Sequence, residues 1–307
     1  MVASDSGERG PPDLVTMVLR SAWIDSPGGI ALLPVRPPYH LYRTLGCGQA
    51  FRWRIDAAGA IGVFRGKRVR LSQTSDGIAC EGLTDESALH DLRHYLGLDE
   101  PLEAIERVLR QDPVLGRLLP TTSGLALLHQ EPWECLISFI ISAFNNIPKI
   151  ELSLHRLGRQ FGEQVDEGVW AFPSPDQLAG ASLRDLRRCA LGYRGPYVRE
   201  LSRRVASGDV DLQAVGRAEY SVARQLLLTL PGVGEKVADC ALLFAYGKGE
   251  AFPVDVWVKR AVERWYFGGR HKTERQIREF AHQRFGPLAG YAQQHLFHAI
   301  RRRRKGE

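Results

Sequence analysis

Cysteine is scarce and scattered: Cys47, Cys80, Cys135, Cys189 and Cys240 are odd in number and far apart, which disfavours both a disulfide framework and a zinc site. No cluster of four cysteines follows Cys240, so the C-terminal part lacks the thiolates of an iron–sulfur centre. His295 and His298 stand three apart on a helical pattern, but no carboxylate or further histidine completes a metal site there; a partner-facing or capping role is expected instead. No stretch approaches the length of an apolar membrane-spanning helix, and Met1 to Asp13 lack the apolar region of a signal peptide. No internal repeat is visible. What is present is a chain of 307 residues with 44% hydrophobic content, enough for two or three domains with real cores. Its 41 basic against 35 acidic residues and pI near 9.2 fit a polyanionic partner without establishing one.

The hydrophobic period changes along the chain. Gln49–Ile55, Gly62–Phe64, Val69–Ser72 and Ile78–Glu81 read as short strands split by Ala58-Gly59, Arg65-Gly66-Lys67 and Ser75-Asp76-Gly77, an antiparallel sheet. From Asp85 the apolar residues recur at helical spacing: Leu89, Leu92, Tyr95 and Leu96, then Leu102, Ile105, Val108 and Leu109. Helices are expected over Trp133–Ala143, Ile150–Phe161, Leu183–Leu191, Val198–Val205 and Tyr291–Ile300. The fold class is therefore α+β, an N-terminal antiparallel sheet followed by a mainly helical part. The expected organisation is a flexible leader over 1–25, a sheet domain with flanking helices over 26–130, a helical domain over 131–300 and a basic tail over 301–307, Arg301-Arg302-Arg303-Arg304-Lys305.

Residues 225–255 carry the most chemistry. Arg224 to Leu230 reads as the end of an apolar helix, which Pro231-Gly232-Val233-Gly234 stops before a second helix with Val237, Cys240, Ala241, Phe244 and Ala245 on one stripe. The free N–H groups at such a glycine turn let a phosphate approach closely, gripping a nucleic-acid backbone without reading its sequence. Lys236 opens the second helix, where a cation opposes the macrodipole. A positive helix end and partial desolvation both disfavour the charged amine, so a neutral nucleophile able to form a Schiff base becomes available. Taken alone, a solvated lysine or a phosphate contact explains it as well. Asp255, after Pro253, starts a further helical pattern and serves as an N-cap; held in that way it is expected to stay ionised and to face a developing positive charge.

Here the chain resembles the helix-hairpin-helix base-excision DNA glycosylases, on Leu230-Pro231-Gly232-Val233-Gly234-Glu235-Lys236-Val237-Ala238-Asp239-Cys240 and Pro253-Val254-Asp255. Within them it is most similar to the 8-oxoguanine DNA glycosylase/AP lyases, because Gly48-Gln49-Ala50-Phe51-Arg52-Trp53-Arg54, Asn145-Asn146-Ile147, Leu191-Gly192-Tyr193-Arg194 and Ala292-Gln293 recur in that order between Tyr39 and Phe297. The resemblance implies an active site in the cleft between sheet and helices, with the target nucleotide flipped out of duplex DNA into it. It implies Lys236 and Asp255 as the catalytic pair. Gly48 would present its carbonyl to the N7–H that oxidation creates on guanine; Cys240 and Phe297 would sandwich the base, and Gln293 would read its Watson–Crick edge. Tyr193 would wedge the gap and Arg194 reach toward the orphaned partner base, while Gly232, Val233 and Gly234 would hold the backbone. Core or turn roles for Gly48, Cys240, Tyr193 and Arg194, and a merely exposed glutamine at Gln293, remain the plain alternatives.

Three positions depart from the pattern. Phe144 stands where a third asparagine is common before Asn145 and Asn146, and Lys149 replaces an arginine, losing its planar fork. Selectivity for the opposing cytosine is expected to relax, with Phe144 stacking in the vacated space. Trp257 occupies the position of a phosphate-contacting histidine. The activity implied is excision of 8-oxoguanine through a lysine Schiff base and strand cleavage by β-elimination. A glycosylase for alkylated or other damaged bases and a non-catalytic DNA-binding module are the alternatives; the second would need neither Lys236 nor Asp255. No metal or organic cofactor is implied for the chemistry; the hairpin carbonyls can hold a structural monovalent cation against phosphate. The expected partner is double-stranded DNA containing 8-oxoguanine, met by a monomer away from membranes: in the cytoplasm or nucleoid of a bacterium, or the nucleus of a eukaryote.

Overall fold

Alternation of buried and half-buried side chains builds the sheet in the computed structural model, which describes residues 29–304. The expected leader lies outside the described residues, as do Lys305 to Glu307. Five antiparallel strands, β1 (Ile30–Pro34), β2 (Arg54–Asp56), β3 (Gly59–Phe64), β4 (Lys67–Gln73) and β5 (Gly77–Glu81), lie in the order β1-β5-β4-β3-β2. The register sets Leu33 opposite Ile78 and Leu71 opposite Cys80. Leu33, Val69, Leu71, Ile78 and Cys80 are all fully buried, on one face as the period of two requires. Each such leucine stabilises the fold by about 1.5–3 kcal/mol relative to exposure. Against this face pack α2 (Glu86–Tyr95), capped by Asp85, and the short α1 (Leu41–Gly46).

One expected strand is largely absent. Of Gln49–Ile55 only Arg54 and Ile55 join the sheet, because the preceding loop satisfies its polar groups through side chains instead of a ladder. The fully buried Gln49 donates to Thr44 O (2.9 Å) and Ala126 O (2.8 Å), and accepts from Leu128 N (2.9 Å). Gln130 in turn donates to Gln49 O at 2.7 Å. The loop is thus clipped to the segment that leads into the helical part.

The helices that follow are α3 (Leu102–Leu109), α4 (Pro113–Thr122), α5 (Pro132–Ser142), α6 (Ile147–Phe161), α7 (Pro175–Ala179), α8 (Leu183–Arg188), α9 (Gly195–Ala206), α10 (Leu212–Arg217), α11 (Tyr220–Leu228), α12 (Glu235–Phe244), α13 (Val256–Tyr266), α14 (Glu274–Phe285) and α15 (Ala289–Arg304). A short hairpin, β6 (Gln164–Asp166) with β7 (Val169–Trp170), follows α6. Helices α5 and α12 are apolar nearly all round and pack on each other at the centre, which is what such a pattern dictates. The helix expected over Leu183–Leu191 stops at Arg188, since Ala190 takes a positive φ of 63°.

Two further expectations need correction. Residues 301–304 are not a tail: α15 continues through them. His295 does not face a partner. It is fully buried on α15, its Nδ1 lies 2.8 Å from Thr122 Oγ1 of α4, and burial pushes its imidazole down to about 3, so it is a neutral core group.

Candidate active site

The break between α11 and α12 sets the site. Gly232 has φ +78°, and a Cβ there would lie 2.8 Å from Tyr197 Cβ, so this turn admits glycine for both reasons. Gly234 is the exposed N-cap of α12 and offers no side-chain acceptor, leaving first-turn amides open. The Val233 side chain is buried and its N–H is bonded to Leu230 O at 3.2 Å, so this amide is already used within the turn.

In the first turn of α12, Lys236 leaves the hairpin and enters a cavity of about 360 Å³. The cavity is walled by α5, α12, α15, the N-terminus of α13 and the Gly48 loop. Lys236 Nζ lies 2.9 Å from Ser142 Oγ and 4.8 Å from the centre of the Phe139 ring, so the amine is fixed between a hydroxyl and an aromatic face. Phe139 is itself stacked on Phe244 (5.4 Å) and edge-on to Phe51 (5.5 Å), an apolar floor. Cys240, one turn beyond Lys236, also lines the cavity; burial pushes its thiol up to about 12, which makes it a neutral wall.

Asp255 lines the same cavity as the N-cap of α13, accepting from Trp257 N (3.0 Å) and Val258 N (2.8 Å). Burial raises its carboxyl above the ordinary carboxylate value and outweighs the opposing pull of the Val258 amide and the Lys236 charge. Trp257 borders the cavity too, with the Arg260 guanidinium 5.3 Å from its ring centre.

Gly48, Gln293 and Phe297 complete the enclosure. Gly48 has φ +88°, and a Cβ there would stand 3.1 Å from Phe297 Cε1, so a side chain would fill the space over that ring. Gln293 is 4% exposed and its Oε1 has no hydrogen-bond partner. Nine of the site residues singled out by sequence thus line one cavity: Gly48, Asn145, Asn146, Lys236, Cys240, Asp255, Trp257, Gln293 and Phe297. Asn146 also caps α6 by accepting from Lys149 N at 3.1 Å. Lys149 points to solvent and is not part of the lining.

The rim differs. Phe144 is 100% exposed at φ +49°, a conformation unusual for a non-glycine residue. Tyr193 stands beside it, 55% exposed, its hydroxyl donating to Ala143 O at 3.3 Å. Arg194 does not reach outward as expected. It is 6% exposed and donates to Ala143 O from Nε (3.0 Å), to Phe144 O (3.3 Å) and to Leu191 O (3.4 Å). Loop carbonyls left without ladder partners draw the guanidinium inward, so Arg194 holds the turn that displays Phe144.

Sequence reading missed Ser142, Phe139 and Arg301. Nothing local marks Ser142, which lies 94 positions from Lys236. Arg301 was legible in principle: it sits one turn after Phe297, lines the cavity, and its guanidinium lies 5.2 Å from the Phe297 ring centre.

This geometry agrees with comparisons to known proteins. Residues 33–136 match the model of the 8-oxoguanine DNA glycosylase N-terminal domain, and residues 137–287 match that of the HhH-GPD superfamily of base excision DNA repair proteins. The chain is 38% identical to a probable N-glycosylase/DNA lyase of Methanothermobacter thermautotrophicus, over 62% of this chain and 68% of that one. It is 31% identical to the N-glycosylase/DNA lyase OGG1 of Arabidopsis thaliana, over 83% of this chain and 75% of that one. Among solved structures it is similar to the Clostridium acetobutylicum 8-oxoguanine glycosylase/lyase in complex with double-stranded DNA containing cytosine opposite 8-oxoguanine, with a TM-score of 0.83 and 31% identity, covering 87% of this chain and 93% of that one. The two matched regions abut inside α5, the helix that carries both Phe139 and Ser142, and together they make this chain a member of the 8-oxoguanine DNA glycosylase family within the helix-hairpin-helix base-excision repair superfamily.

Proposed function

We propose that the protein is a bifunctional DNA glycosylase and AP lyase that excises 8-oxoguanine from duplex DNA. One observation carries this reading: the Lys236 amine and the Asp255 carboxylate share an aromatic-floored cavity with Gly48, Cys240, Gln293 and Phe297. The flipped base lies between Cys240 and Phe297, and the Gly48 carbonyl accepts the N7–H that distinguishes oxidised from normal guanine. Lys236 Nζ attacks C1′ of the sugar, forming a C–N bond as the bond to the base breaks, and the proton the amine gives up is taken by the departing base. Ionised Asp255 offsets the positive charge that develops at C1′. Opening of the sugar leaves a Schiff base; loss of a C2′ proton then expels the 3′ phosphate and cuts the strand.

The DNA backbone is gripped at the amides that begin α12. The nearest carboxylate, Glu235, is engaged by Arg278, so the hairpin donors are neutral carbonyls, which suit a structural monovalent cation bridging to phosphate. The chain acts as a monomer on double-stranded DNA. Phe144, displayed by Arg194, enters the stack vacated by the flipped base beside Tyr193.

Borohydride trapping tests the central step. Wild type should form a covalent adduct with duplex containing 8-oxoguanine, and Lys236→Gln should form none, with strand cleavage falling at least about 1000-fold. Equal adducts from both proteins would reject Lys236 as nucleophile.

A further inference from the structure

Arg301 brings to the cavity wall a cation that no carboxylate binds at close range. It stands one turn after Phe297 on α15 and is half-buried, so a ligand in the cavity can reach it. Its guanidinium lies 5.2 Å from the centre of the Phe297 ring, a contact that steadies the group without using its N–H donors. Among the described residues none accepts a hydrogen bond from it. Burial raises the carboxyls of Asp255 and Glu151 while the Arg301 charge opposes this, so both are near, yet neither is paired with it. Gly48 marks where the free donors lie. A Cβ there would stand 3.4 Å from Arg301 Nη1 and 3.1 Å from Phe297 Cε1, so loop, guanidinium and ring meet at one corner of the cavity.

We propose that Arg301 is a specificity-determining residue that donates to O8 of the flipped base, so that oxidation is read at two adjacent atoms. With N7–H held by the Gly48 carbonyl, the next atom on that edge comes to the corner where Arg301 Nη1 stands. In 8-oxoguanine that atom is O8, an acceptor for a charge-assisted hydrogen bond. In guanine it is C8–H, which accepts nothing and leaves the cation facing carbon in a water-poor cavity. A site built around such a bond rejects the analogue that lacks it far more strongly than an apolar pocket does. The proposal rests on the excision of 8-oxoguanine and deepens it by adding a second check on the same lesion.

The test is single-turnover excision from duplexes bearing 8-oxoguanine or 8-thioguanine opposite cytosine, by wild type, Arg301→Met and Arg301→Lys. The thio base keeps N7–H but replaces O8 with sulfur, a weaker acceptor. Methionine still packs on Phe297 without a donor, and lysine retains a charged one. Wild type should favour 8-oxoguanine by roughly tenfold, which is about 1.4 kcal/mol at 25 °C. Arg301→Met should cut that preference at least about fivefold, and Arg301→Lys should keep more of it. Affinity for a duplex with a tetrahydrofuran abasic analogue, which has the phosphates but no base, should stay within about twofold. A packing role would slow both lesions alike, so a preference unchanged within about twofold in Arg301→Met would overturn the proposal. Weakened binding of the abasic duplex with that preference unchanged would overturn it too, assigning the guanidinium to a phosphate. Absence of 8-oxoguanine excision by wild type would instead overturn the activity on which it rests.

Discussion

The cavity and its rim are built by opposite means. Inside, Lys236, Cys240, Gln293 and Phe297 stand on regular helices whose other faces are buried, so their positions follow from close packing of α5, α12 and α15. At the rim, Phe144 and Tyr193 sit on turns between helices and are held through backbone carbonyls by Arg194. Packing fixes the groups that make and break bonds to a fraction of an ångström. Hydrogen-bonded turns present groups to a partner whose shape varies. The rim should therefore tolerate change that the interior does not.

The sharpest challenge to this contrast is Gly48→Ala. A methyl group at φ +88°, 3.1 Å from Phe297 Cε1, intrudes on the base, and excision should fall about 100-fold while affinity for undamaged duplex is kept. Single-turnover rates beside filter binding measure both; undiminished excision would place the base elsewhere. Next is Arg194→Ala, which leaves the carbonyls of Ala143 and Phe144 without their cation and should cost about 2 kcal/mol in denaturant unfolding. If stability held and only opposing-base preference changed, Arg194 would be a DNA reader after all.

Smaller effects are expected at the rim itself. Phe144→Asn combined with Lys149→Arg should raise the preference for opposing cytosine about tenfold, read from excision rates against all four bases. Identical rates before and after would remove partner recognition from this segment. A last test, outside the site, concerns pH. Asp239, on the back of α12, has one oxygen 2.8 Å from Arg224 Nε and the other unpartnered; burial raises its carboxyl from 3.8 to about 6. The folded state therefore holds this proton more tightly than the unfolded chain, and stability falls as pH rises from about 4 to about 6. Asp239→Asn should flatten that fall, on the order of 2–3 kcal/mol, in thermal unfolding at pH 4 and pH 7. An unchanged pH dependence would mean the carboxylate is fully offset by Arg224.

What could be read from sequence follows the same division. The hairpin, Lys236, Cys240 and Asp255 are set by local rules: a proline and glycines end one helix, and an i, i+4 spacing or a cap fixes the rest. Gln293 and Phe297 were legible for the same reason. Ser142 was not, because only the packing of α5 on α12 brings it to the amine. The direction of Arg194 was hidden as well, since it depends on which carbonyls a distant turn leaves open. The missing strand at Gln49–Ile55 shows the limit of alternation: a buried glutamine can satisfy a loop as fully as a ladder does.

That glutamine has a further consequence. Gln49 anchors the loop bearing Gly48 to Thr44, Ala126 and Leu128, all on the N-terminal side of α5, whereas Lys236 and Asp255 belong wholly to the helices after it. On the proposed reading, the carbonyl that checks oxidation and the amine that attacks are therefore mounted on separate halves of one molecule. A chain stripped of its first half would carry its weapon but not its eye, and a shift of that half by the width of one atom would blur damaged and sound bases together before it slowed the blade.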